Sequence, residues 1–432
     1  MLQKILAVLL SLTTFALSLS ASRNKVTAPA DDSDFVPVLR FVIASDTHIK
    51  TVGDKRAKRI QKILSLAYSD AEQDKAYDKL DAAVFAGDLT NKGTLAQFLG
   101  FKGAVNSVLQ PQTQHLAVVA KSHDGNTLGK KSLRLYEQLS GQSTDFHTVI
   151  NGFHFIGLSA SKTENEHYSE YQRTWLREQL DAAVLDDPQK PIFVTHHEHV
   201  SDTVYGSFDE DGWGIGYFKD IFSEYPQIIH FSGHSHYPLN DPRSIWQGAF
   251  TAVGTGAVYY AELTVDGENC VHPAYSDVIA QCWIVEVDAQ NAVRLRGFDA
   301  ISGKLLCEYT LHNVADKTAR EYTSAQQQAA ASAPAFDKAA AITVSKNKKG
   351  TVNIELPAAK ATDGTIVFLY RMTAVDGAGK TVDEQTLVND YWLADDYEKI
   401  AFTSSAPSGS TITVTAENAY GMQSEPVQVQ IP

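Results

Sequence analysis

Short apolar runs recur along the first half of the chain, and a polar motif directly follows each of them. The runs are rich in β-branched and aromatic residues, which is typical of buried strands. Between the first two runs, residues 58–77 place apolar side chains at helical spacing. Strands that alternate with helices predict an α/β domain with helices on both faces of its sheet. The runs are 41–44, 82–86, 115–120, 191–195 and 228–232.

The polar motifs stand at the carboxyl ends of these predicted strands. In α/β sheets the carboxyl ends of parallel strands meet at one edge, where ligands collect. We therefore expect the motifs to converge on one pocket although they are far apart in the chain. They are Ser-Asp-Thr-His at 45–48, Gly-Asp at 87–88, Ser-His-Asp at 122–124, His-His at 196–197 and Gly-His-Ser-His at 233–236.

The motifs supply carboxylate oxygen and imidazole nitrogen. This donor set suits Mn, Fe, Zn or Co better than a soft metal or calcium. His234 and His236 are two residues apart, so on an extended segment they point the same way and can reach neighbouring ions. One such motif alone is common, but the five together predict a dinuclear metal site. The candidate ligands are Asp46, His48, Asp88, His196, His234 and His236.

The order of the motifs resembles the signature of the calcineurin-like metallophosphoesterase superfamily, which reads D-x-H, GD, GNH[DE], a His at a strand end, and GHxH. The similarity covers about 41–239, and the whole domain is expected at 35–312. It implies a layered sheet sandwich flanked by helices. It also implies hydrolysis of phosphomonoesters or phosphodiesters through a dinuclear metal centre and a metal-bound hydroxide.

The resemblance also implies a role for each motif residue around two divalent ions, Mn, Fe, Zn or Co. Asp88 would bridge the ions, and His123 would stabilise or protonate the leaving oxygen, so these two residues are the expected catalytic residues. Ser122 occupies the position of a further ligand of the second ion. The other implied ligands are Asp46, His48 and His236 for the first ion and His196 and His234 for the second.

The chain departs from the family pattern at 121–122, where Lys-Ser replaces Gly-Asn. The Ser122 hydroxyl is shorter than an Asn side chain and a poorer metal ligand, so we expect weaker occupancy of the second ion. Lys121 adds a positive charge that disfavours cations but favours a phosphate. Two interpretations stay open. One is an active phosphoesterase in which water, Asp124 or Asn126 fills the position, and the other is a degenerate binding protein with a weakened second metal site.

Residues near the predicted ligands receive weaker assignments. His197 and His199 are not expected to be ligands, because only one His of such a cluster is normally required. His230 lies inside an apolar run and is expected to pack. Residues 200–225 mix aromatic, acidic and glycine residues, which indicates either a lid over the site or a solvated acidic insertion.

The N-terminus and the composition bear on location and partners. Residues 1–22 have the pattern of a signal peptide, so we expect a secreted, extracellular or cell-surface protein with no stable membrane span after cleavage. The net charge of −14 over 432 residues argues against nucleic acid as a partner. A small phosphate ester remains a suitable substrate, because bound metal ions would dominate the local field.

The last part of the chain is predicted to be a second domain. Residues 313–336 lack apolar periodicity and are interpreted as a linker. Residues 337–432 contain short alternating strands separated by turn residues, which predicts a small all-β sandwich. The stretch 411–421 resembles a fibronectin type III module, although an immunoglobulin-like sandwich fits equally well. Such a domain would act as a spacer or provide cell-surface or glycan contacts.

Overall fold

A computed structural model describes residues 35–160, 167–208, 212–346, 351–361, 365–393 and 398–432. The predicted signal peptide at 1–22 lies outside these ranges. None of the helices within them combines the length and the apolar character that a bilayer crossing requires. Cys282 and Cys307 are buried and Cys270 is exposed, with no disulfide between them.

Two six-stranded sheets form the first domain. Its strands are β1 (Pro37–Ala44), β2 (Ala82–Ala86), β3 (Gln114–Val118), β4 (Phe146–Ile150), β5 (Phe153–Gly157), β6 (Ile192–Thr195), β7 (His199–Val200), β8 (Gly214–Ile215), β9 (Ile228–Ser232), β10 (Ile245–Gln247), β11 (Thr251–Gly254), β12 (Leu263–Val265), β13 (Glu268–Val271), β14 (Gln281–Asp288), β15 (Val293–Asp299) and β16 (Lys304–Leu311). The sheet orders are β16-β15-β14-β1-β2-β3 and β10-β11-β9-β6-β5-β4. Strands β1, β2 and β3 run parallel in one sheet, and β5, β6, β9 and β11 run parallel in the other.

Helices cover the outer faces of both sheets. The α-helices of the described residues are α1 (Lys55–Ala71), α2 (Leu95–Asn106), α3 (Lys130–Ser140), α4 (Glu170–Asp186), α5 (Lys219–Phe222) and α6 (Ser324–Ala330). Asp54 caps α1 by accepting a hydrogen bond from the Arg56 amide, and Ser169 forms a capping box with Gln172 at the start of α4. These caps satisfy amides that have no partner inside the helix.

Three apolar layers follow from this arrangement. Phe41 of β1 and Phe193 of β6 meet between the sheets, with ring centroids 4.8 Å apart. The opposite face of β1 packs under α1, where Ile60 and Leu64 are fully buried, and Val194 of β6 packs in the layer that contains Leu180 of α4. The order helix, sheet, sheet, helix confirms the layered sandwich that the resemblance implies. The expectation of one sheet with helices on both faces is wrong, because one face of each sheet packs against the other sheet.

The C-terminal region is all-β, as predicted. Its strands are β17 (Thr343–Lys346), β18 (Val352–Pro357), β19 (Val367–Val375), β20 (Thr381–Val388), β21 (Lys399–Ser404), β22 (Thr411–Asn418) and β23 (Val427–Gln430). They form a three-stranded antiparallel sheet, β17-β18-β21, and a four-stranded one, β20-β19-β22-β23. The side chains between these two sheets make a separate core that includes Ile354, Tyr370 and Val414.

The predicted linker at 313–336 packs against the first domain. Within it, the guanidinium of the buried Arg320 donates hydrogen bonds to the backbone carbonyls of Pro226, Gly248, Ala249 and Val314. Helix α6 follows it. The segment is therefore anchored over part of its length, and its exact boundaries stay a prediction.

Candidate metal centre

The polar motifs that follow β1, β2, β6 and β9 meet at one edge of the facing sheets. The amides of Asp46 and His48 donate to the carbonyls of Gly87 and Asp88, at 3.1 and 3.0 Å. The amide of Gly233 donates to the His197 carbonyl at 2.9 Å, which joins the two motifs of the second sheet. The convergence expected from the sequence is therefore observed in the backbone.

Side-chain donor atoms point into the space between these loops. The Nε2 atoms of His48 and His236 are 3.0 Å apart, and His236 Nε2 lies 3.2 Å from Asp46 Oδ1. On the other side, His197 Nε2 lies 3.3 Å from Asp88 Oδ2. Among the residues that the structure describes, three groups have ligand atoms within 4.8 Å of one another: Asp46, His48 and His236; His48, Asp88 and His123; and Asp88, His197 and His234.

Hydrogen bonds on the far side of three imidazoles fix their orientation. In each, Nδ1–H donates to a backbone carbonyl, so Nε2 faces the cluster. The pairs are His197 with Ala86 (2.8 Å), His236 with Tyr260 (3.1 Å) and His123 with Asn91 (3.1 Å). The rings are thus held in place by the protein itself.

The backbone of the site is strained. Five cluster residues have positive φ angles, which non-glycine residues adopt rarely and at a cost of about 1–3 kcal/mol each. They are Asp46 (56°), His48 (45°), Asp88 (48°), His234 (76°) and His236 (59°). The neighbouring position 87 requires glycine, because a Cβ there would come within 2.6 Å of the His197 ring. Strain of this kind concentrates at functional sites. Here the unusual backbone angles turn the ligand side chains toward the cluster.

The electrostatics of the site suit a cation. Burial would raise the pKa of Asp88, but His197 and His48 hold it well below its usual range. Burial lowers the pKa of His48 to about 3, so its imidazole is neutral and able to ligate a metal. Among the described residues, Asp46 Oδ1 and His197 Nε2 belong to the buried atoms that make no hydrogen bond of normal geometry, although His236 Nε2 and Asp88 Oδ2 lie 3.2 and 3.3 Å from them. A divalent ion would satisfy both atoms, so the donor set fits the group that the motifs imply.

The sequence prediction that His196 faces the site is not what the structure shows. His196 lies in the outer layer, with its ring 4.0 Å from that of His230 and 4.8 Å from that of Phe218, and His197 faces Asp88 instead. Side chains alternate across a strand, and His196 continues the side of Val194, which packs under the helices. His197 falls on the side between the sheets.

The loop after β3 shows how the chain accommodates its Lys-Ser departure. Ser122 Oγ donates a hydrogen bond to Asp88 Oδ1 at 3.1 Å. The hydroxyl therefore binds a predicted ligand instead of presenting itself as a separate metal ligand. Asp124 accepts hydrogen bonds from the amides of Leu89, Thr90 and Ala120 and from the Thr90 hydroxyl. Asp124 therefore joins the loop after β3 to the end of β2. It does not belong to any of the described residue groups that could hold a metal.

His123 lies at the open side of the cluster. Its Nε2 is 3.9 Å from Asp88 Oδ2, and its side chain is 39% exposed while that of Asp88 is almost fully buried. The His123 and His48 ring centroids are 4.5 Å apart. His123 is therefore the imidazole of the cluster that a substrate can reach most directly.

Two aromatic rings flank the same cluster, one from the segment predicted as a lid or an insertion and one that the sequence prediction missed. The Trp213 ring packs edge-on to His234 at 4.8 Å, and the Tyr260 ring lies 4.2 Å from that of His236. Trp213 belongs to the segment interpreted as a lid or an insertion, of which residues 209–211 lie outside the described ranges. Tyr260 follows β11, a strand whose end carries no recognisable motif. A search of every strand end for aromatic residues would have found it.

Comparison with known proteins identifies the first domain. Residues 39–238 match the calcineurin-like phosphoesterase family. A probable glycerophosphodiester phosphodiesterase, GpdQ, of Arcobacter nitrofigilis is 26% identical over 202 residues, which are 45% of this chain and 71% of the relative. Both findings support a phosphoesterase hydrolase whose matching domain lies at residues 39–238.

Solved structures with a similar fold were also found. Purple acid phosphatase PPD1 from yellow lupin (Lupinus luteus) seeds is 13% identical, with a TM-score of 0.44, over 63% of this chain and 53% of the phosphatase. GAP50, the anchor in the inner membrane complex of Plasmodium, is 14% identical, with a TM-score of 0.43, over 68% of this chain and 94% of GAP50. The chain thus spans about half the length of the purple acid phosphatase.

Proposed function

We propose that this chain, whose residues 39–238 form a calcineurin-like phosphoesterase domain, hydrolyses phosphodiesters at a centre of two divalent metal ions. The observation that carries the proposal is the convergence of carboxylate and imidazole donors from four strand ends on one strained, buried cluster. The name of its relative points to glycerophosphodiesters as the substrate class.

Asp88 lies between the two sides of the cluster, with its Oδ2 atom 3.9 Å from His48 Nε2 and 3.3 Å from His197 Nε2. Asp46, His48 and His236 would hold one ion, and Asp88 with His197 and His234 would hold the other. Bound there, two ions would lower the pKa of a water and neutralise charge on the phosphoryl oxygens. These residues are fixed in advance by their backbone and by hydrogen bonds, which limits reorganisation during the reaction.

His123 would serve the leaving group. Its Nδ1–H is committed to the Asn91 carbonyl, so Nε2 is the atom presented to the cleft. In the imidazolium form Nε2–H would donate a proton to the leaving oxygen, and Nε2 lies 3.9 Å from Asp88 Oδ2 at the edge of the cluster. The proton then passes to the alcohol product.

The substrate class can be tested by comparing esters. With Mn²⁺ present, we expect turnover of glycerophosphocholine and of bis(p-nitrophenyl) phosphate to exceed that of p-nitrophenyl phosphate by about tenfold or more, equivalent to about 1.4 kcal/mol in the barrier. Release of the alcohol and of p-nitrophenol measures both. Equal or faster hydrolysis of the monoester would instead assign the site to phosphomonoesters.

The rival interpretation, a degenerate binding protein, rests on Ser122. If the hydroxyl leaves the second ion short of one ligand, Ser122→Asn should raise the affinity for the second Mn²⁺ by about tenfold or more, which is within the range for groups around a metal. Calorimetric titration of Mn²⁺ measures this, with Ser65→Asn, at an exposed position of α1, as the control. Unchanged second-site affinity in Ser122→Asn would show that the position is already filled by other means.

We also propose that the protein is exported and that its C-terminal sheets are a fibronectin type III-like module. Export is supported by the signal-peptide pattern at 1–22, and the N-terminal sequence of the mature protein would test it.

The three- and four-stranded sheets and the 411–421 stretch support the fibronectin type III-like module. A chain order of strands unlike that module in an experimental structure would contradict it.

A further inference from the structure

The C-terminal sandwich shares a hydrophobic core with the phosphoesterase domain. Phe368, Tyr391 and Trp392 are only 7%, 1% and 0% exposed, and they belong to the same apolar cluster as Leu239 of the first domain. The sandwich's own core, around Ile354, is a different cluster. One face of the sandwich is therefore committed to the phosphoesterase domain, and contacts of this kind are stronger than a tethered spacer requires.

Polar contacts continue this interface along residues 240–243. The Asn240 amide donates to the Tyr391 carbonyl at 2.6 Å, and the Tyr391 hydroxyl donates to Asp241 Oδ2 at 3.2 Å. The Arg243 guanidinium donates twice to Asp241, at 2.8 and 2.6 Å, and lies 4.9 Å from the centre of the Phe368 ring. Asn240 and Asp241 are almost fully buried, so losing these partners would leave polar groups unsatisfied.

The segment that the sandwich contacts follows two candidate metal ligands directly. His234 and His236 have φ angles of 76° and 59°, and such backbone persists only where its surroundings hold it. On the N-terminal side, the His234 amide donates to Asp46 Oδ2 at 3.2 Å, within the first domain. On the C-terminal side, Asn240 and the residues after it are held by the sandwich. The ligand pair thus lies between an anchor in each domain.

We infer that the sandwich positions the metal centre: Tyr391 holds Asn240 and Asp241, and so fixes the loop that carries His234 and His236. Tyr391 is a positioning residue, because it contacts neither the ligands nor the cleft. The effect on catalysis rests on the proposed function. The contact of Tyr391 with Asn240 and Asp241 can be tested without measuring turnover.

Amide hydrogen exchange of the metal-free full chain tests the contact. We expect Tyr391→Ala to raise exchange at residues 233–241 relative to wild type, and Tyr391→Phe, which loses only the hydroxyl contact, to raise it less. Tyr370→Ala is the matched control, since Tyr370 is a buried tyrosine of the sandwich's own core. Equal exchange at 233–241 in Tyr391→Ala and wild type would overturn the inference, as would an equal rise in Tyr370→Ala that circular dichroism shows to be folded.

Mn²⁺ affinity tests the consequence. Loss of a residue that supports a ligand typically costs 10–100-fold in metal affinity, so we expect about tenfold weaker binding by Tyr391→Ala at a temperature where circular dichroism shows it folded. Asn240→Ala, which removes a hydrogen bond without a large core cavity, should weaken binding in the same direction. Wild-type affinity in both variants would overturn the inference. Wild-type protein that binds Mn²⁺ without hydrolysing phosphate esters would contradict the proposed function, but it would not contradict the inference that the sandwich positions the metal centre.

Discussion

Replacing Asp88 with Asn is expected to abolish phosphodiester turnover while leaving the fold intact. Asp88 is shared by two of the three ligand groups and lies within 3.9 Å of the Nε2 atoms of His48, His123 and His197. The amide keeps the volume of the carboxylate but removes the charge that two cations would share. We expect kcat to fall by about 10³-fold or more, beyond the about 10–100-fold loss seen when only an outer partner of a ligand is removed.

A second aspartate provides the control for this prediction. Asp78 is an exposed residue before β2, so Asp78→Asn makes the same chemical change outside the cluster. It should retain wild-type turnover and metal content, and circular dichroism should show both variants folded. Turnover by Asp88→Asn that matches the Asp78→Asn value would exclude the bridging role.

The second large effect separates two neighbouring histidines. His197→Ala should lower bound metal and reduce turnover by about 100-fold or more, since it removes a donor atom at 3.3 Å from Asp88 Oδ2. His196→Phe should keep both, because an aromatic ring suits the apolar layer around Phe218 and Phe222. Both ring nitrogens of His196 are buried without hydrogen-bond partners, so replacing the imidazole does not deprive any other group of a hydrogen bond.

Metal content measured by mass spectrometry, together with turnover of bis(p-nitrophenyl) phosphate, decides between the two positions. Loss of metal in His196→Phe with retention in His197→Ala would restore the assignment that the family resemblance first suggested. It would also require β6 to be shifted by one residue in register.

The strands and the order of their polar motifs could be predicted because buried parallel strands are apolar throughout and end abruptly. The same property hid the choice between His196 and His197. Residues 192–194 are apolar although they alternate between the two faces, so the sequence does not show which side chain belongs to which face. Only packing on the two sides, Val194 outward and Phe193 inward, determines which histidine enters the site.

The role of the C-terminal domain was hidden for a related reason. Its strands were predicted from alternation, but residues 365–370 are apolar at nearly every position. A strand covered on both faces has this pattern, and here Val367 enters the sandwich core while its neighbour Phe368 enters the core shared with the first domain. The sequence therefore contained a sign of the interface, although not the identity of the surface that covers it.

Turnover of bis(p-nitrophenyl) phosphate by metal-free protein, measured as Mn²⁺ is added in known equivalents, tests the central claim most directly. We predict no turnover without metal and a rise that continues to two bound ions per chain, with the second ion bound more weakly. Turnover that persists in metal-free protein, or protein that binds two ions and remains inactive, would contradict a dinuclear phosphodiesterase.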